Sequence, residues 1–316
     1  MRPEGAGNAM DRRSFLTRVV PAAALGVAAM RAPAAASKGE LTITPLASNL
    51  TLITGAGGNV TVLNSPDGVL LVDGGASEHS ARLLQAVREI AGSARVHTLF
   101  NTHWHADQTG SNATLGAAGT RIIAHENTRL WLTTDVEETW EQRIYQPLPK
   151  IAQPGQTFYT TGSLAFGGEQ IDYGYLPQAH TDGDIYVFFR KANVLVAGDV
   201  VSVGAFPIID YCTNGWIGGV GTALQSLLDL ADAKTLVVPG RGAAQNRDHL
   251  VAELAMINTM KQRLSRLLAQ GMSANEMIAA QPAQEFVAQW GDPALFIRNS
   301  YPGMVHRAGE LGVSIV

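Results

Sequence analysis

Two histidines separated by one residue open a candidate metal site in the stretch Thr102-His103-Trp104-His105-Ala106-Asp107-Gln108. Residues 96–100 before them read as a buried strand, and in extended backbone residues i and i+2 point to the same side. We therefore expect His103 and His105 to converge on one cation, and imidazole nitrogens in this arrangement suit zinc. The alternative is that these are two surface or capping histidines in a loop that bind no metal. The chain has only eight histidines and further signals lie downstream, which disfavours that alternative.

Three further signals stand where an apolar stretch ends. Asp73 and a glycine pair follow residues 69–72, and Gly198-Asp199 follows residues 194–197. His180 lies between them in the stretch Gln178-Ala179-His180-Thr181-Asp182-Gly183-Asp184. The ends of strands are where polar side chains can gather at one edge of a sheet, so the combination is more specific than any single motif.

Together these motifs resemble the metallo-β-lactamase superfamily over residues 41–245. The resemblance implies an α+β fold, a four-layer αββα sandwich. It implies one metal site made by His103, His105 and His180, with Asp199 as a potentially bridging ligand. It also implies that the strand-terminal aspartate organises the metal loop rather than the reaction.

Two positions depart from the family pattern. Gln108 stands where the family usually has a histidine, and Arg241 stands where its last histidine is usual, in Pro-Gly-Arg-Gly. A guanidinium cannot ligate a metal because it stays protonated and has no free lone pair. Asp107 and Asp199 would repel each other without a cation between them. We therefore predict a mononuclear site in which Arg241 occupies the place of a second ion, the alternative being a degenerate pocket that binds no metal.

The first expectation is zinc-assisted hydrolysis with one zinc per chain. Three histidine ligands leave a position open for water. Asp107 would orient that water or take its proton, while Arg241 and the amide of Gln108 would hold a substrate carboxylate or a developing oxyanion. The resemblance implies small substrates with an activated carbonyl, such as lactams, lactones, esters or thioesters. Tyr211 and Trp216, aromatic residues in a loop, are predicted to form a substrate-binding wall.

Two other functions remain open from the sequence. Some superfamily members hold one iron and oxidise persulfides, and His103, His180 and Asp199 would supply the facial ligand set of such a site. Other exported relatives are non-catalytic accessory proteins of periplasmic quinoprotein systems. Metal analysis separates iron from zinc, and the absence of any turnover with tightly bound zinc would favour the accessory role.

The amino-terminal residues predict export. Residues 11–18 contain an arginine pair, residues 19–30 form a twelve-residue apolar run, and Ala34-Ala35-Ala36 offers a cleavage site. This pattern is typical of a twin-arginine signal and predicts a periplasmic protein. The run is shorter than the roughly twenty residues that a stable membrane span needs, although a retained anchor is the alternative.

Composition limits the class of partner. Without residues 1–36 the chain has 18 basic and 25 acidic residues, so its net charge changes from −4 to −7. An acidic chain of this kind does not indicate a nucleic-acid partner. The single cysteine, Cys212, rules out an internal disulfide and is interpreted as a small buried hydrophobe.

Short apolar stretches and helical spacing outline the elements that must position the site. Predicted strands cover residues 41–53, 60–63, 69–72, 96–100, 121–124, 158–176, 185–189, 194–197 and 236–238. Predicted helices cover residues 80–90, 113–118, 126–141, 223–230, 250–268, 274–280 and 294–311. We divide the chain into a signal (1–36), a main domain (37–245) and a helical extension packed on it (246–316). The apolar stripe of the extension is interpreted as core, with a homodimer contact as the alternative.

Overall fold

The computed structural model describes residues 40–92 and 95–309, so the predicted export signal lies outside the described residues. The strands are β1 Thr42–Pro45, β2 Leu50–Ala56, β3 Gly58–Ser65, β4 Gly68–Val72, β5 Val96–Phe100, β6 Arg121–His125, β7 Val136–Glu138, β8 Arg143–Tyr145, β9 Gln156–Phe158, β10 Thr161–Phe166, β11 Glu169–Tyr175, β12 Ile185–Phe189, β13 Val194–Gly198 and β14 Leu236–Pro239. The α-helices are α1 Ser80–Ala91, α2 Ala106–Thr109, α3 Asn112–Ala117, α4 Glu126–Trp131, α5 Ile217–Leu230, α6 Arg247–Ala269, α7 Ala274–Ala279, α8 Val287–Trp290 and α9 Ala294–His306.

The strands form two main sheets in the described part of the chain. The first has the order β1-β2-β3-β4-β5-β6-β9 and the second the order β10-β11-β12-β13-β14, while β7 and β8 make a separate hairpin. In the first sheet β4, β5 and β6 run parallel, and in the second β13 runs parallel to β14. The carboxyl ends of parallel strands meet at one edge of a sheet, so the residues that follow these strands are brought together.

Alternation along the strands builds the layers. In β14, Val238 faces the first sheet in an apolar core between the sheets, whereas Val237 faces the opposite way, toward α5 and α6. In β4, Leu70 joins the core between the sheets and Leu71 packs with α1 on the outer side. Side chains of a strand point alternately to its two faces, so each sheet has an apolar surface on both faces. One face packs against the other sheet and the opposite face packs against helices. This arrangement of α1, two sheets and α5 with α6 confirms the expected four-layer α+β sandwich.

The carboxyl-terminal helices share the outer core of the second sheet. Leu250, Ile257, Met260 and Leu264 form the apolar stripe of α6, and all four are fully buried in the cluster that contains α5. The stripe is therefore part of the core of this chain, as its spacing predicts. The domain boundary at residue 245 stays a prediction.

The predicted helix over residues 126–141 is wrong. Helix α4 ends at Trp131, and the hairpin of β7 and β8 follows. Two threonines and an aspartate at positions 133–135 are poor helix formers, and the inward-facing Val136 and Glu138 alternate with an exposed residue as in a strand.

None of the helices in residues 40–92 and 95–309 has both the length and the apolar character needed to cross a membrane.

Candidate metal centre

The loops after three strands place four side chains around one point. His103 and His105 follow β5, His180 follows β11, and Asp199 follows β13. Their candidate ligand atoms all lie within 4.8 Å of one another. His103 and His180 are almost completely buried, whereas 14% of the His105 side chain and 10% of the Asp199 side chain are exposed. The four residues therefore form a largely enclosed cluster that is open on one side.

A hydrogen-bonded chain fixes the orientation of His103. Asp73, which adopts a left-handed backbone conformation after β4, accepts hydrogen bonds from the backbone N–H of Thr102 at 2.7 Å and from its hydroxyl at 2.8 Å. The same hydroxyl oxygen lies 3.1 Å from Nδ1 of His103 and is left to accept from it. This assigns the proton of His103 to Nδ1 and leaves a lone pair on Nε2, which is buried without a partner among the described residues.

The other two histidines are oriented in the same way. Nδ1 of His180 lies 2.7 Å from the carbonyl oxygen of Ile208, so it donates and leaves Nε2 unprotonated. Nε2 of His105 lies 3.0 Å from a carboxylate oxygen of Asp210, which leaves Nδ1 unprotonated. Nε2 of His180 and Nδ1 of His105 are only 3.1 Å apart. Two lone pairs at this distance repel each other, and a cation between them removes the repulsion.

The local electrostatics keep the cluster ready for a metal ion. Burial lowers the pKa of His103 and of His180, and the neighbouring His105 lowers both further. Burial also lowers the pKa of His105, but the hydrogen bond and charge of Asp210 raise it above its ordinary value. Metal-ligating histidines ordinarily donate their second N–H to an oxygen, which orients the ring and increases its basicity. The donor set of three imidazoles and one carboxylate fits zinc or another divalent transition metal.

Arg241 occupies the carboxylate side of the cluster. Its guanidinium donates a hydrogen bond to Asp107 and lies 3.6 Å from a carboxylate oxygen of Asp199. The charge of Asp199, followed by that of Asp107, raises the pKa of Arg241, so the guanidinium stays protonated. Gln108 is fully buried beside them, with its amide nitrogen 3.4 Å from the other oxygen of Asp199. The structure thus brings together all three predicted catalytic residues and all four predicted metal ligands; their roles stay predictions.

The turn that carries Arg241 is attached to the first sheet. Asn59 on β3 donates from its backbone N–H to the carbonyl of Gly240 at 2.7 Å. Its side-chain amide donates to the carbonyls of Pro239 and Gly242, both at 2.8 Å. A Cβ atom at Gly240 would lie 1.6 Å from an oxygen of Asp199, so only glycine allows this approach. Sequence reasoning missed Asn59 because its partners lie about 180 residues away.

A second acidic pair behind His105 was also missed. Asp210 accepts hydrogen bonds from the hydroxyl and backbone of Thr213 and from the indole of Trp104. Burial raises the pKa of Asp210, but His105 lowers it below its usual value overall. Glu138 lies beside it, and burial together with the charge of Asp210 raises the pKa of Glu138 to about 10. Neither acid stands in a motif, and the erroneous helix prediction over residues 126–141 covered Glu138.

The predicted substrate wall lies apart from the cluster. Tyr211 and Trp216 line a separate depression with residues of α9, and no residue of the metal cluster lines it. The hydroxyl of Tyr211 contacts Thr139, and the guanidinium of Arg307 lies 5.1 Å from the Trp216 ring. The structure therefore does not bring these two aromatic residues to the metal, and their substrate role stays a prediction. Cys212, between them, is half-buried.

Comparisons with known proteins agree with this geometry. A sequence profile described as the Metallo-beta-lactamase superfamily matches residues 53–242. The chain is 25% identical to Metallo-beta-lactamase type 2 of Bacillus cereus over 199 residues, which are 63% of this chain and 72% of the relative. It is 24% identical to Metallo-beta-lactamase IND-1 of Chryseobacterium indologenes over 163 residues, 52% of this chain and 62% of the relative.

Solved structures show the same fold. A metallo-beta-lactamase from Pontibacter korlensis matches with a TM-score of 0.56 and 20% identity, covering 69% of this chain and 99% of that one. The stereoselective inverting sec-alkylsulfatase Pisa1 from Pseudomonas sp. matches with a TM-score of 0.64 and 12% identity, covering 83% of this chain and 50% of that one. At these identities the likeness concerns the fold alone.

Proposed function

The chain belongs to the metallo-beta-lactamase superfamily, and we propose that it is a periplasmic hydrolase with a single zinc ion. The observation that carries this proposal is the orientation of three imidazoles, two of them buried and one largely so, whose unprotonated nitrogens face one another beside an arginine paired with two aspartates. Relatives named metallo-beta-lactamases support hydrolysis at the level of the family. The arginine supports one ion rather than two, since its charge already offsets the carboxylates.

In this proposal His103, His105 and His180 would hold the zinc, with Asp199 beside them. Zinc at such a site lowers the pKa of water to about 7 and so supplies a nucleophile at neutral pH. Asp107 accepts a hydrogen bond from the attacking water and orients it. Arg241, whose side chain is half exposed, keeps donors free to face the carbonyl oxygen of the substrate as negative charge develops there.

The reaction is the hydrolysis of an activated carbonyl in a lactam, lactone, ester or thioester. The oxygen of water forms a bond to the carbonyl carbon, and the bond from that carbon to the leaving nitrogen, oxygen or sulfur breaks. The leaving atom takes a proton that water gives up, and the acid is released. The amide of the buried Gln108, 3.4 Å from Asp199, would assist Arg241 in holding the developing oxyanion.

Periplasmic location is a separate part of the proposal. It is supported by the arginine pair at positions 12 and 13, the short apolar run and the alanine triplet. An exported protein of this kind acquires its metal ion in the cytoplasm, because the twin-arginine route carries folded proteins. Detection of the cleaved chain in a periplasmic extract tests this part independently of the chemistry.

Elemental analysis of the purified chain, followed by a panel of chromogenic esters, thioesters and lactams, tests the site. We expect one zinc per chain and turnover of at least one substrate class. His180→Ala should lose most of the metal and the activity because it removes one of three ligands. His306→Ala, which changes an exposed histidine outside the cluster, should lose neither. Iron with oxygen uptake on a persulfide, or zinc without turnover of any substrate, contradicts the proposal.

A further inference from the structure

A cavity of about 380 Å³ opens directly onto the metal cluster. His180, Asp199 and Arg241 form its inner end. One wall is the segment 201–208, which follows β13, and the opposite wall is the segment 290–296, which joins α8 to α9. The second wall lies outside residues 53–242, the region that matches the superfamily profile. The volume is in the range of small-molecule sites, roughly 300–1,000 Å³.

The side chains that line the two walls are mainly apolar. The walls present valine, alanine, proline and isoleucine side chains from one segment, and Trp290, Leu295 and Phe296 from the other. Leu295 keeps 36% of its surface exposed, although most large apolar residues of the chain are buried. Apolar surface left exposed inside a cavity is typical of a ligand site, since covering it with an apolar group releases water.

The charges around the cavity disfavour an anionic occupant of its outer part. The lining acids are Asp199 at the inner end and Asp292 at the exposed rim. The lining cation, Arg241, is already paired with Asp107 and Asp199. A carboxylate or phosphate placed between the walls would meet Asp292 without a free cation among the lining residues. A neutral hydrocarbon group in the same place is not repelled by Asp292.

Buried groups hold both walls in place. On α6, Glu253 accepts a hydrogen bond from the backbone N–H of Ser202 at 3.0 Å, and Nε2 of His249 lies 2.7 Å from the carbonyl oxygen of the same residue. Both the backbone N–H and the backbone carbonyl of Ser202 are therefore bound by side chains of α6, and these contacts hold the wall segment 201–208. Phe206 stacks on Phe296 at a centroid distance of 5.3 Å and joins the two walls. The cavity is therefore preformed rather than dependent on closure by the substrate.

We infer that this cavity binds the acyl group of the substrate, and that the substrate is an ester or thioester of a neutral aliphatic or aromatic acid of medium length. The inference rests on the proposed function for the hydrolytic step and adds the substrate class. The acyl carbon lies at His180, Asp199 and Arg241, and its hydrocarbon chain extends between segments 201–208 and 290–296.

Hydrolysis of p-nitrophenyl esters of increasing acyl length tests this class. From acetate to hexanoate we expect kcat/KM to rise by about fourfold for each methylene group that the cavity buries. Leu295→Trp should fill the cavity and reduce kcat/KM at least tenfold more for hexanoate than for acetate. Ala205→Met is a second filling variant at an exposed position of the other wall. Leu130→Trp is the matched control, because Leu130 is an exposed leucine, 48% accessible, on α4 and away from the cavity lining.

Calorimetric titration of the zinc-loaded protein with octanamide and acetamide provides a readout without hydrolysis. We expect octanamide to bind at least tenfold more tightly than acetamide, and Leu295→Trp but not Leu130→Trp to abolish the difference. Equal binding of the two amides, or a flat ester series with unchanged Leu295→Trp kinetics, overturns the inference. Selective binding of octanamide without hydrolysis of any ester, thioester, lactone or lactam would instead contradict the proposed function and leave the apolar site standing.

Discussion

At the scale of single residues, the proposal of a mononuclear centre rests on Arg241. It contacts both carboxylates that would otherwise face a second ion. A side chain that only balanced surface charge would not need this position. The guanidinium instead links the metal cluster to the open side of the site, where half of it is exposed.

Replacement of this arginine should separate catalysis from metal binding. Arg241→Ala leaves Asp107 and Asp199 without their cation and removes donors for the oxyanion, so we expect kcat/KM to fall by about two orders of magnitude or more. The zinc content should stay near one per chain, because the three histidines are unchanged. Arg241→Lys, the control, keeps the charge and should lose less activity. Full activity in Arg241→Ala would contradict the assigned role.

The double variant Gln108→His with Arg241→His should restore a second metal site. Both imidazoles would lie beside Asp107 and Asp199, and neutral histidine with carboxylate is a ligand set that zinc accepts. We expect close to two zinc ions per chain at saturating zinc, measured by elemental analysis after removal of free metal. The matched control is Gln108→His alone, which keeps the guanidinium and should stay near one. If the double variant still binds only one zinc ion per chain, Arg241 does not occupy the place of a second metal ion.

Much of this site could be predicted from the sequence, for a physical reason. His103 and His105 are neighbours on one side of extended backbone, and Asp199 ends an apolar strand, so local pattern alone places them at the edge of a sheet. Asp210 could not be found in that way. It is 105 positions from His105, and only the folded chain shows that its carboxylate orients the ring.

At the scale of elements, the contact between β3 and the turn after β14 positions the arginine. The backbone and side chain of Asn59 together bind three carbonyl groups of residues 239–242. A β-strand of the first sheet thus holds a loop of the second, and the active edge of the sandwich depends on both.

Asn59→Ala should loosen this turn without touching the histidines. It removes two buried donors from carbonyl groups, and we expect the free energy of unfolding to fall by about 1–3 kcal/mol. Because Arg241 is then less well held, kcat/KM should fall several-fold while the zinc content is unchanged. Thr61→Val is the control on the same strand, since the buried Thr61 hydroxyl has no hydrogen-bond partner among the described residues. Urea unfolding and ester hydrolysis measure the two effects, and an Asn59→Ala variant as active as Thr61→Val would exclude a positioning role.

Elements also show where local sequence stops predicting structure. Strands β5 and β12 have the predicted bounds because short apolar runs between turns have few other solutions. For residues 126–141 the sequence pattern predicts one helix, whereas the structure has α4 followed by the hairpin of β7 and β8. There the tertiary contact decides, since Glu138 is buried beside Asp210 and Val136 packs with Trp104 and Leu132. Such contacts join distant parts of the chain and leave no periodic signal.

At the scale of the whole molecule, the carboxyl-terminal helices are structurally continuous with the sandwich. Helix α6 packs on α5 in the same apolar cluster as the second sheet, and it also binds the cavity wall through Glu253. Stability and the shape of the proposed substrate site are therefore coupled in one helix. The fully buried carboxyl group of Glu253 makes that coupling sensitive to pH.

Glu253→Gln should change how the stability of the molecule depends on pH. Burial raises the pKa of Glu253 well above 4.5, and the Ser202 N–H only partly opposes this. As pH rises above 4.5, the unfolded chain loses this proton while the folded chain keeps it, so the free energy of unfolding of the wild type falls until the folded-state pKa is passed. Glutamine keeps the acceptor for Ser202 but has no proton to lose.

The stability of Glu253→Gln relative to the wild type should therefore increase as pH rises above 5, by at most about 1.4 kcal/mol per pH unit, until the folded-state pKa of Glu253 is passed. Urea unfolding at a series of pH values, with zinc held saturating, measures the difference. Glu137→Gln, which removes an exposed carboxylate from β7, is the control and should show a nearly constant difference. If Glu253→Gln instead loses stability relative to the wild type as pH rises, the buried carboxyl group is ionised in the folded chain, and the assigned protonation of Glu253 is wrong.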